Sequence, residues 1–146
     1  MAPVAVGDTL ILEFVGGDGE WRRFEVSVVE PLTDVTAALS SIDGGGALPP
    51  VGELLARTRL RIGYLDGPQL GSLAPLTVAV EANGEERLVT DEGCAGLEEP
   101  LDTEAEIERG TYVEGEICWP IPAIWVPDLL LVIEADRGER RWLALH

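Results

Sequence analysis

The sequence predicts an all-β fold: an antiparallel sandwich of two sheets with about eight strands and little or no helix, forming a single domain over residues 1–146. Short stretches in which apolar and polar residues alternate recur along the 146 residues, and this period of two is that of a β-strand. Turn-forming residues separate the stretches, since the chain contains 17 Gly and 10 Pro. A sustained helical period is almost absent.

The first predicted element is a hairpin made of residues 10–15 and 21–29. Residues 16–19, with the sequence Gly-Gly-Asp-Gly, link the two strands and tolerate the positive φ angles of a tight turn. From Phe24 to Val28 apolar and polar side chains alternate. This alternation predicts that one face of the second strand lies in a core and the other in water.

The following segment, residues 33–52, is predicted to be a long irregular surface loop. It shows no sustained period and contains three consecutive glycines at 44–46 and prolines at 49 and 50. Glycine weakens a strand, and proline supplies no backbone donor to one. Loops of this length are uncommon in compact domains and are often functional.

Three strands are predicted in the middle of the chain. In residues 54–64 three arginines alternate with apolar side chains. Residues 76–80 and 87–90 flank Asn83-Gly84, and both turn residues tolerate the left-handed conformation that a tight hairpin requires. The middle of the chain is therefore predicted to hold one long strand and a hairpin.

The last three strands are predicted at residues 112–121, 129–135 and 140–145, with a turn at 136–138 between the final two. Residues 98–109 are the one segment whose spacing could fit a short helical turn. Eight short strands separated by turn signals favour a two-sheet sandwich or a barrel, and the length suits an immunoglobulin-like sandwich.

The charge balance argues against several classes of partner. The chain has 27 acidic residues against ten arginines, no lysine and a formal net charge of −17. This field repels phosphate backbones and anionic membrane surfaces, so nucleic acid is not an expected partner. No stretch approaches the roughly 20 apolar residues of a spanning helix, and no phosphate-binding or dinucleotide fingerprint indicates a cofactor.

Residues 109–123, RGTYVEGEICWPIPA, resemble a pattern found in telokin-like immunoglobulin-type β-sandwich domains of bacterial secreted and surface proteins. In that family, a domain of unknown function, a turn glycine opens a strand, a second glycine follows, and alternating apolar residues lead into a proline. The matching positions here are Gly110, Gly115, Ile117, Trp119, Ile121 and Pro122. The resemblance implies a fold and a location at or beyond the cell surface, and it implies no known chemistry.

The N-terminal sequence MAPVAVGDTL lacks the basic start and apolar stretch of a secretory signal. Two interpretations follow. The sequence is either that of a cytosolic protein or the mature part of an exported protein, and the resemblance favours an extracellular or cell-surface location.

The two cysteines, Cys94 and Cys118, are predicted to form a disulfide. If Ile117 and Trp119 face the core, strand alternation turns Cys118 to the opposite face, where it can reach a cysteine of the preceding loop. Closing this loop would stabilise the fold by roughly 3 kcal/mol on the chain-entropy model. The alternative is a pair of thiols in a cytosolic protein. A zinc site is disfavoured, because two cysteines and one terminal histidine are too few ligands.

The four tryptophans offer two interpretations, a stacking platform for sugars or burial in the core. Trp119 and Trp142 lie in strongly apolar strands, which favours the core. Trp125 lies in a proline-rich connection just before Pro127, where an exposed ring would mark a contact surface. Trp21 is the other candidate for such a surface.

The arginines of the middle strand, Arg57, Arg59 and Arg61, form a basic stripe on one face. Such a stripe could bind a carboxylate or phosphate through bidentate hydrogen bonds. The favoured interpretation is a ladder of ion pairs with glutamates of neighbouring strands, such as Glu25 or Glu116, each exposed pair contributing about 0–1 kcal/mol.

A cluster of carboxylates follows the middle hairpin and could hold calcium, a cation that prefers several oxygen ligands. Its members are Asp91, Glu92, Glu98, Glu99 and Asp102. Their spacing matches no EF-hand, so a solvated acidic loop is the favoured interpretation.

Enzyme classes that depend on histidine, lysine or an activated serine have few candidates in this sequence. His146, the one histidine, ends the chain, and no serine lies in a nucleophile-elbow context. Three functional hypotheses follow: a non-catalytic interaction module that binds a protein or an envelope component, a carbohydrate-binding module using Trp125 or Trp21, and a glycoside hydrolase. The last is the least favoured and needs two carboxylates about 5–10 Å apart in a cleft.

Overall fold

The computed structural model describes residues 3–40, 49–88, 97–135 and 140–146. Within these ranges lie ten strands, one short α helix and one 3₁₀ helix. The strands are β1 (Leu10–Val15), β2 (Trp21–Asp34), β3 (Glu53–Asp66), β4 (Leu70–Ser72), β5 (Leu76–Ala82), β6 (Glu85–Leu88), β7 (Glu106–Glu108), β8 (Tyr112–Pro122), β9 (Leu130–Ala135) and β10 (Arg140–Ala144). The α helix, α1, spans Thr36–Ser40, and the 3₁₀ helix spans Ala123–Asp128.

Two four-stranded sheets form the sandwich. Sheet 1 has the strand order β1-β2-β3-β8 and sheet 2 the order β10-β9-β5-β6. Every pairing within them is antiparallel, and β4 and β7 make a separate two-stranded ribbon. The predicted all-β, immunoglobulin-like sandwich is therefore confirmed.

The core lies between the inner faces of the two sheets, and buried residues alternate with more exposed ones along strands such as β1 and β2. Sheet 1 contributes residues such as Leu12, Val26 and Ile62, and sheet 2 contributes Leu131 and Ile133. The alternation read from the sequence reproduces these faces, because side chains of successive strand residues point to opposite sides of a sheet.

An aromatic stack fills one end of this core. Phe24 lies between Phe14 and Tyr64, with ring centroids 5.5 and 4.9 Å away and interplanar angles of 9° and 18°. The Tyr64 hydroxyl donates a hydrogen bond to the carbonyl of Pro68 at 2.5 Å. Gly71 passes so close that an added Cβ would lie 2.8 Å from the Tyr64 ring. The stack therefore needs a residue without a side chain at position 71.

A smaller apolar cluster lies on the outer face of sheet 1. Leu39 of α1 and Leu97 pack there against Leu55 and Cys118. Trp119, the next residue along β8, belongs to the main core. The prediction that Cys118 faces away from the core residues of its strand is therefore confirmed.

The sequence prediction was wrong in several details of the secondary structure. Ten strands are present instead of about eight, because β4 and β7 have only three residues each and show no readable alternation. The segment 33–52 is not wholly irregular, since β2 continues to Asp34 and α1 follows. The suggested helical turn at 98–109 is not formed, and its end is strand β7 instead. Strand β6 begins two residues before the predicted range 87–90, of which residues 89 and 90 lie outside the described residues.

Candidate functional site

The arginine stripe lies on the outer face of sheet 1 and pairs diagonally with strand β8. The register places Arg57 opposite Cys118 and Arg59 opposite Glu116. The Nε atom of Arg57 nevertheless lies 2.6 Å from Oε1 of Glu116, and the Nε atom of Arg59 lies 2.8 Å from Oε2 of Glu114. The diagonal offset is within reach of long side chains on a twisted sheet.

Second carboxylates complete the coordination of two of these arginines. Arg57 Nη1 lies 2.9 Å from Glu30 Oε2, and Arg59 Nη2 lies 3.1 Å from Glu99 Oε2. The hydrogen bonds from Arg59 to Glu114 and then to Glu99 raise the pKa of its guanidinium above the usual range. The ion-pair ladder is therefore what the structure shows for Arg57 and Arg59, and their guanidinium groups are already engaged by the chain's own acids.

Of the two glutamates predicted to pair with the stripe, Glu116 does so. The side chain of Glu25 lies against Gly63, so close that an added Cβ there would be 3.0 Å from Glu25 Cγ. Arg61 takes an aromatic partner instead of an acid, and its guanidinium carbon lies 3.7 Å from the ring centroid of Tyr112. The sequence could not reveal the diagonal offset that selects Glu114, Glu116 and Tyr112 as partners.

The other half of this face carries exposed apolar side chains. Strand alternation places most of these side chains there, and a bulge in β3 places Leu65, which has no partner in β2 between the pairs Tyr64–Phe24 and Asp66–Arg23. We call this the hairpin-end surface, defined by Ile11, Val15, Trp21, Leu65 and Tyr112. These are five of the nine large apolar side chains that are exposed within the described residues.

Arginines lie over both aromatic rings of the hairpin-end surface. Arg23 lies 5.1 Å from the ring centroid of Trp21 and is held by Glu13 at 2.9 Å. Arg61 covers Tyr112 in the same way. A guanidinium lies over each ring, so the surface combines apolar side chains with positive charge. It differs in this from the chain as a whole, which is strongly acidic.

Trp125, the second residue predicted to mark a contact surface, is not fully exposed. It lies in the 3₁₀ helix and packs partly buried against the main core. Arg87 lies 5.5 Å from its ring centroid and also bonds Glu53 and the carbonyl of Pro120. The connection that contains Trp125 therefore closes one end of the core.

Trp119 and Trp142, both predicted to be core residues, have different positions. Trp119 is 1% exposed in the main core, and its indole N–H has no acceptor among the described residues. The prediction was wrong for Trp142, which is only partly buried and alternates with the core residue Leu143 on the outer face of sheet 2. Both strands looked equally apolar in the sequence, so nothing in it separated the two faces.

Trp142 belongs to a polar cluster that links three strands of sheet 2. Its Nε1 donates to Oε2 of Glu81 at 2.9 Å, and Arg140 approaches the same oxygen at 3.2 Å. Arg140 also pairs with Glu86. The hydrogen bond from Trp142, and to a smaller extent that from Arg140, lowers the pKa of Glu81. This carboxylate therefore stays ionised at pH values below its ordinary titration range.

A cavity of about 190 Å³ opens beside the β1–β2 hairpin. Phe14, Ser72 and Pro75 line it together with the hairpin residues Asp18 and Arg22. The two nitrogens Nη1 and Nη2 of Arg22 bond the two carboxylate oxygens of Asp18 at 2.8 and 2.7 Å. The one carboxylate in this lining is thus neutralised by an arginine, and the cavity does not offer the two acids of a glycoside hydrolase.

The remaining predicted site residues lie partly outside the described residues. Cys118 is buried, at 3% exposure, whereas Cys94 lies outside those ranges together with Asp91 and Glu92. Glu99 pairs with Arg59 instead of standing free for a cation. Among the described residues no group of three or more His, Cys, Asp or Glu side chains is arranged to hold a metal ion.

The helices within the described ranges are all too short or too polar to cross a membrane.

Comparison with known proteins shows the fold. No protein-family model and no curated protein sequence matches the chain. Among solved structures it is similar to MPT63, a secreted protein from Mycobacterium tuberculosis, with a TM-score of 0.55 and 15% sequence identity. The match covers 98% of this chain and 95% of that one. At this identity the likeness establishes a shared β-sandwich fold over nearly the whole chain, and the telokin-like assignment stays a prediction.

Proposed function

We propose that this chain is a non-catalytic extracellular interaction module, a single unit over residues 1–146, which binds a protein or an envelope component through the hairpin-end surface. The observation that carries the proposal is the concentration of exposed apolar side chains on one half of one sheet face. The other half of that face is occupied by the ion-pair ladder and by the cluster around Leu39 and Cys118. Exposed apolar patches of this kind mark contact surfaces in soluble proteins.

Electrostatics indicate the character of the partner. Four of the ten arginines, Arg23, Arg57, Arg59 and Arg61, lie on the outer face of sheet 1, while the chain as a whole carries a formal charge of −17. A neutral or basic surface is therefore favoured, because long-range attraction steers opposite charges together.

The carbohydrate-binding alternative has less support. Of its two candidate rings, Trp125 packs partly buried against the core, and Trp21 is 39% exposed but has the guanidinium of Arg23 over it. One face of the Trp21 ring is therefore already occupied by a cation and closed to a stacking sugar. A protein surface can instead contact the ring edge and the arginine together, as Trp and Arg do in interface hot spots.

An extracellular location is supported by the shared fold with a secreted protein and by the proposed disulfide between Cys94 and Cys118. Cys118 lies in the apolar cluster on the outer face of sheet 1 and packs there near Leu97, which follows Cys94 by three residues in the sequence. Such bonds persist in oxidising compartments.

The hairpin-end surface can be tested by site-specific crosslinking in the organism that produces the protein. A photo-crosslinking amino acid at Val15 is expected to trap a discrete partner, whereas the same group at Thr77, which is exposed on sheet 2, is expected to trap none.

Once the partner is identified, Trp21→Ala should weaken binding at least about tenfold, since a buried interface tryptophan commonly contributes 2 kcal/mol or more. Leu88→Ala, which removes an exposed apolar side chain from sheet 2, is the matched control. Equal trapping at Val15 and Thr77, or equal losses from both substitutions, would contradict the proposal.

The disulfide makes a separate prediction about the purified, denatured protein. No thiol should react until reductant is added, after which two should react. Reduction should also lower the midpoint of thermal unfolding by several degrees, because a loop closed between positions 94 and 118 stabilises the fold by roughly 3 kcal/mol. Two thiols that react at once, with no effect of reductant on unfolding, would argue against the bond and for a reducing compartment.

A further inference from the structure

Strand β1 is an edge of sheet 1, and its hydrogen-bonding pattern turns three residues away from β2. The hairpin closes with a hydrogen bond from the N–H of Gly16 to the carbonyl of Glu20 at 2.9 Å, and the register continues through Val15↔Trp21. In an antiparallel pair the residues that exchange hydrogen bonds alternate with those that do not. Leu10, Leu12 and Phe14 therefore bond β2. The alternate residues of β1, namely Ile11, Glu13 and Val15, direct their N–H and C=O groups outward.

A side chain from the other sheet confirms that the backbone groups of Ile11 point away from β2. Arg141 of β10 reaches across the side of the sandwich, and its Nη1 lies 3.3 Å from the carbonyl oxygen of Ile11. That carbonyl must therefore point away from β2. Among the described residues no other hydrogen bond is made to the outward groups of Ile11, Glu13 and Val15.

The other edges of the two sheets are covered or charged. Val4 covers β10, bonding the carbonyl of Trp142 and the N–H of Ala144 at 3.0 and 2.8 Å. The segment at Glu99 and Leu101 covers β8 through the N–H and carbonyl of Glu116, at 2.7 and 2.9 Å. The fourth edge, β6, has only four residues, and three of them are charged: Glu85, Glu86 and Arg87. Short, charged or covered edges are the usual protection against unwanted strand pairing.

Within the described ranges no backbone segment covers β1 as Val4 covers β10 and Leu101 covers β8. The six residues of β1, LILEFV, contain one charge, at Glu13, and no proline or glycine. Ile11 and Val15 flank Glu13 on the outer face and are exposed, and they belong to the hairpin-end surface. A strand added beside β1 would thus extend that surface sideways, and it would have to displace the Arg141 side chain from the outward carbonyl of Ile11.

We propose that the partner binds by strand addition: an extended segment of another protein pairs with the outer edge of β1, placing a lysine or arginine opposite Glu13 and uncharged residues on either side. This inference rests on the proposed function and names the way in which the partner docks. Main-chain hydrogen bonds supply affinity in this mode, and alternate side chains supply specificity. A cation opposite Glu13 would share the carboxylate with Arg23, and opposite charges across a strand pair are stabilising. A second copy of this chain is a poor occupant, because it also carries a charge of −17.

The test uses the full chain, labelled with ¹⁵N, and a synthetic capped peptide, RTVTVKVTVTR, whose central lysine can face Glu13. At saturating peptide, hydrogen exchange of the amides of Ile11, Glu13 and Val15 is expected to slow at least about tenfold, because an exposed edge amide becomes hydrogen-bonded. The amides of Leu10, Leu12 and Phe14 already bond β2 and should change little. A peptide N-methylated at alternate residues, which cannot donate to the edge, should have no effect.

Two protein variants sharpen the test. Glu13→Pro removes an outward N–H without touching the bonds to β2, and prolines are tolerated on strand edges, so this variant should fold and lose the peptide effect. Glu13→Gln keeps the N–H and removes the charge, so it should retain the effect with weaker binding. An equal response of Glu13→Pro and the unmodified chain would overturn the proposal.

The outcomes separate this inference from the proposed function. If the outward amides are unaffected by peptide while crosslinking at Val15 still traps a partner, strand addition is wrong and the interaction surface stands. A second outcome is that these amides are protected without peptide, and that the protection rises with protein concentration as the measured mass doubles. The occupant is then a second copy, and the proposal of a basic partner strand is overturned. Failure at both Val15 and the outward amides rejects the proposed function as well.

Discussion

Replacing Gly115 with alanine is expected to lower the free energy of unfolding by about 2–4 kcal/mol, a sum of steric overlap and lost burial. A Cβ at this position would lie 2.5 Å from Cα and 2.6 Å from the backbone nitrogen of Leu101. Backbone atoms cannot rotate away as a flexible side chain can. The segment at Leu101 must therefore leave the edge of β8, losing its two hydrogen bonds with Glu116 and drawing Leu101 out of the core.

Urea unfolding of the two proteins measures this effect. Gly17→Ala is the matched control, because Gly17 has no atom within 4 Å of an added Cβ and its φ lies outside the left-handed region. That substitution should change the free energy of unfolding by less than about 1 kcal/mol. Similar values for Gly115→Ala and Gly17→Ala would show that the packing of Leu101 over Gly115 is not tight.

Phe24→Ala is expected to cost about 3–5 kcal/mol, the range for truncation of a large buried aromatic side chain. Phe24 is fully buried and is the central ring of the stack with Phe14 and Tyr64. Its removal leaves a cavity and deprives both outer rings of a partner. The side chains around the site are held by two different strands, so they cannot easily close the space.

Thermal and urea unfolding provide the measurement, and Tyr112→Ala is the control. Tyr112 is an aromatic residue of the same sheet but is 57% exposed, and its contact with Arg61 lies in solvent. Its truncation should cost about 1 kcal/mol or less. A loss for Phe24→Ala no greater than that for Tyr112→Ala would contradict the central place given to the aromatic stack.

Much of the architecture could be predicted from local patterns. The hairpin at residues 10–29 and the long strand β3 follow from alternation and turn residues, and both are present. The position of Cys118 on the face opposite Trp119 follows from the same period of two. These predictions succeeded because strand geometry is a property of neighbouring residues along the chain.

The candidate site was less predictable, because it depends on register and on which face of a sheet meets its partner. Trp142 and Trp119 lie in similar apolar strands, yet only Trp119 points between the sheets. Trp125 looked like an exposed loop residue, but the 3₁₀ helix folds it against the end of the core. No local pattern contains the information that distinguishes these cases.

The all-β class, the alternating strand faces and the strongly acidic character follow from the sequence alone, since each depends on composition or on residues close together in the chain. The partners of the arginine stripe, the grouping of the exposed apolar side chains and the edge strand left uncovered among the described residues became visible only in three dimensions. These features arise between strands far apart in sequence, because twist and register set the contacts there. The diagonal pair of Arg57 with Glu116 and the outer edge of β1 are two examples.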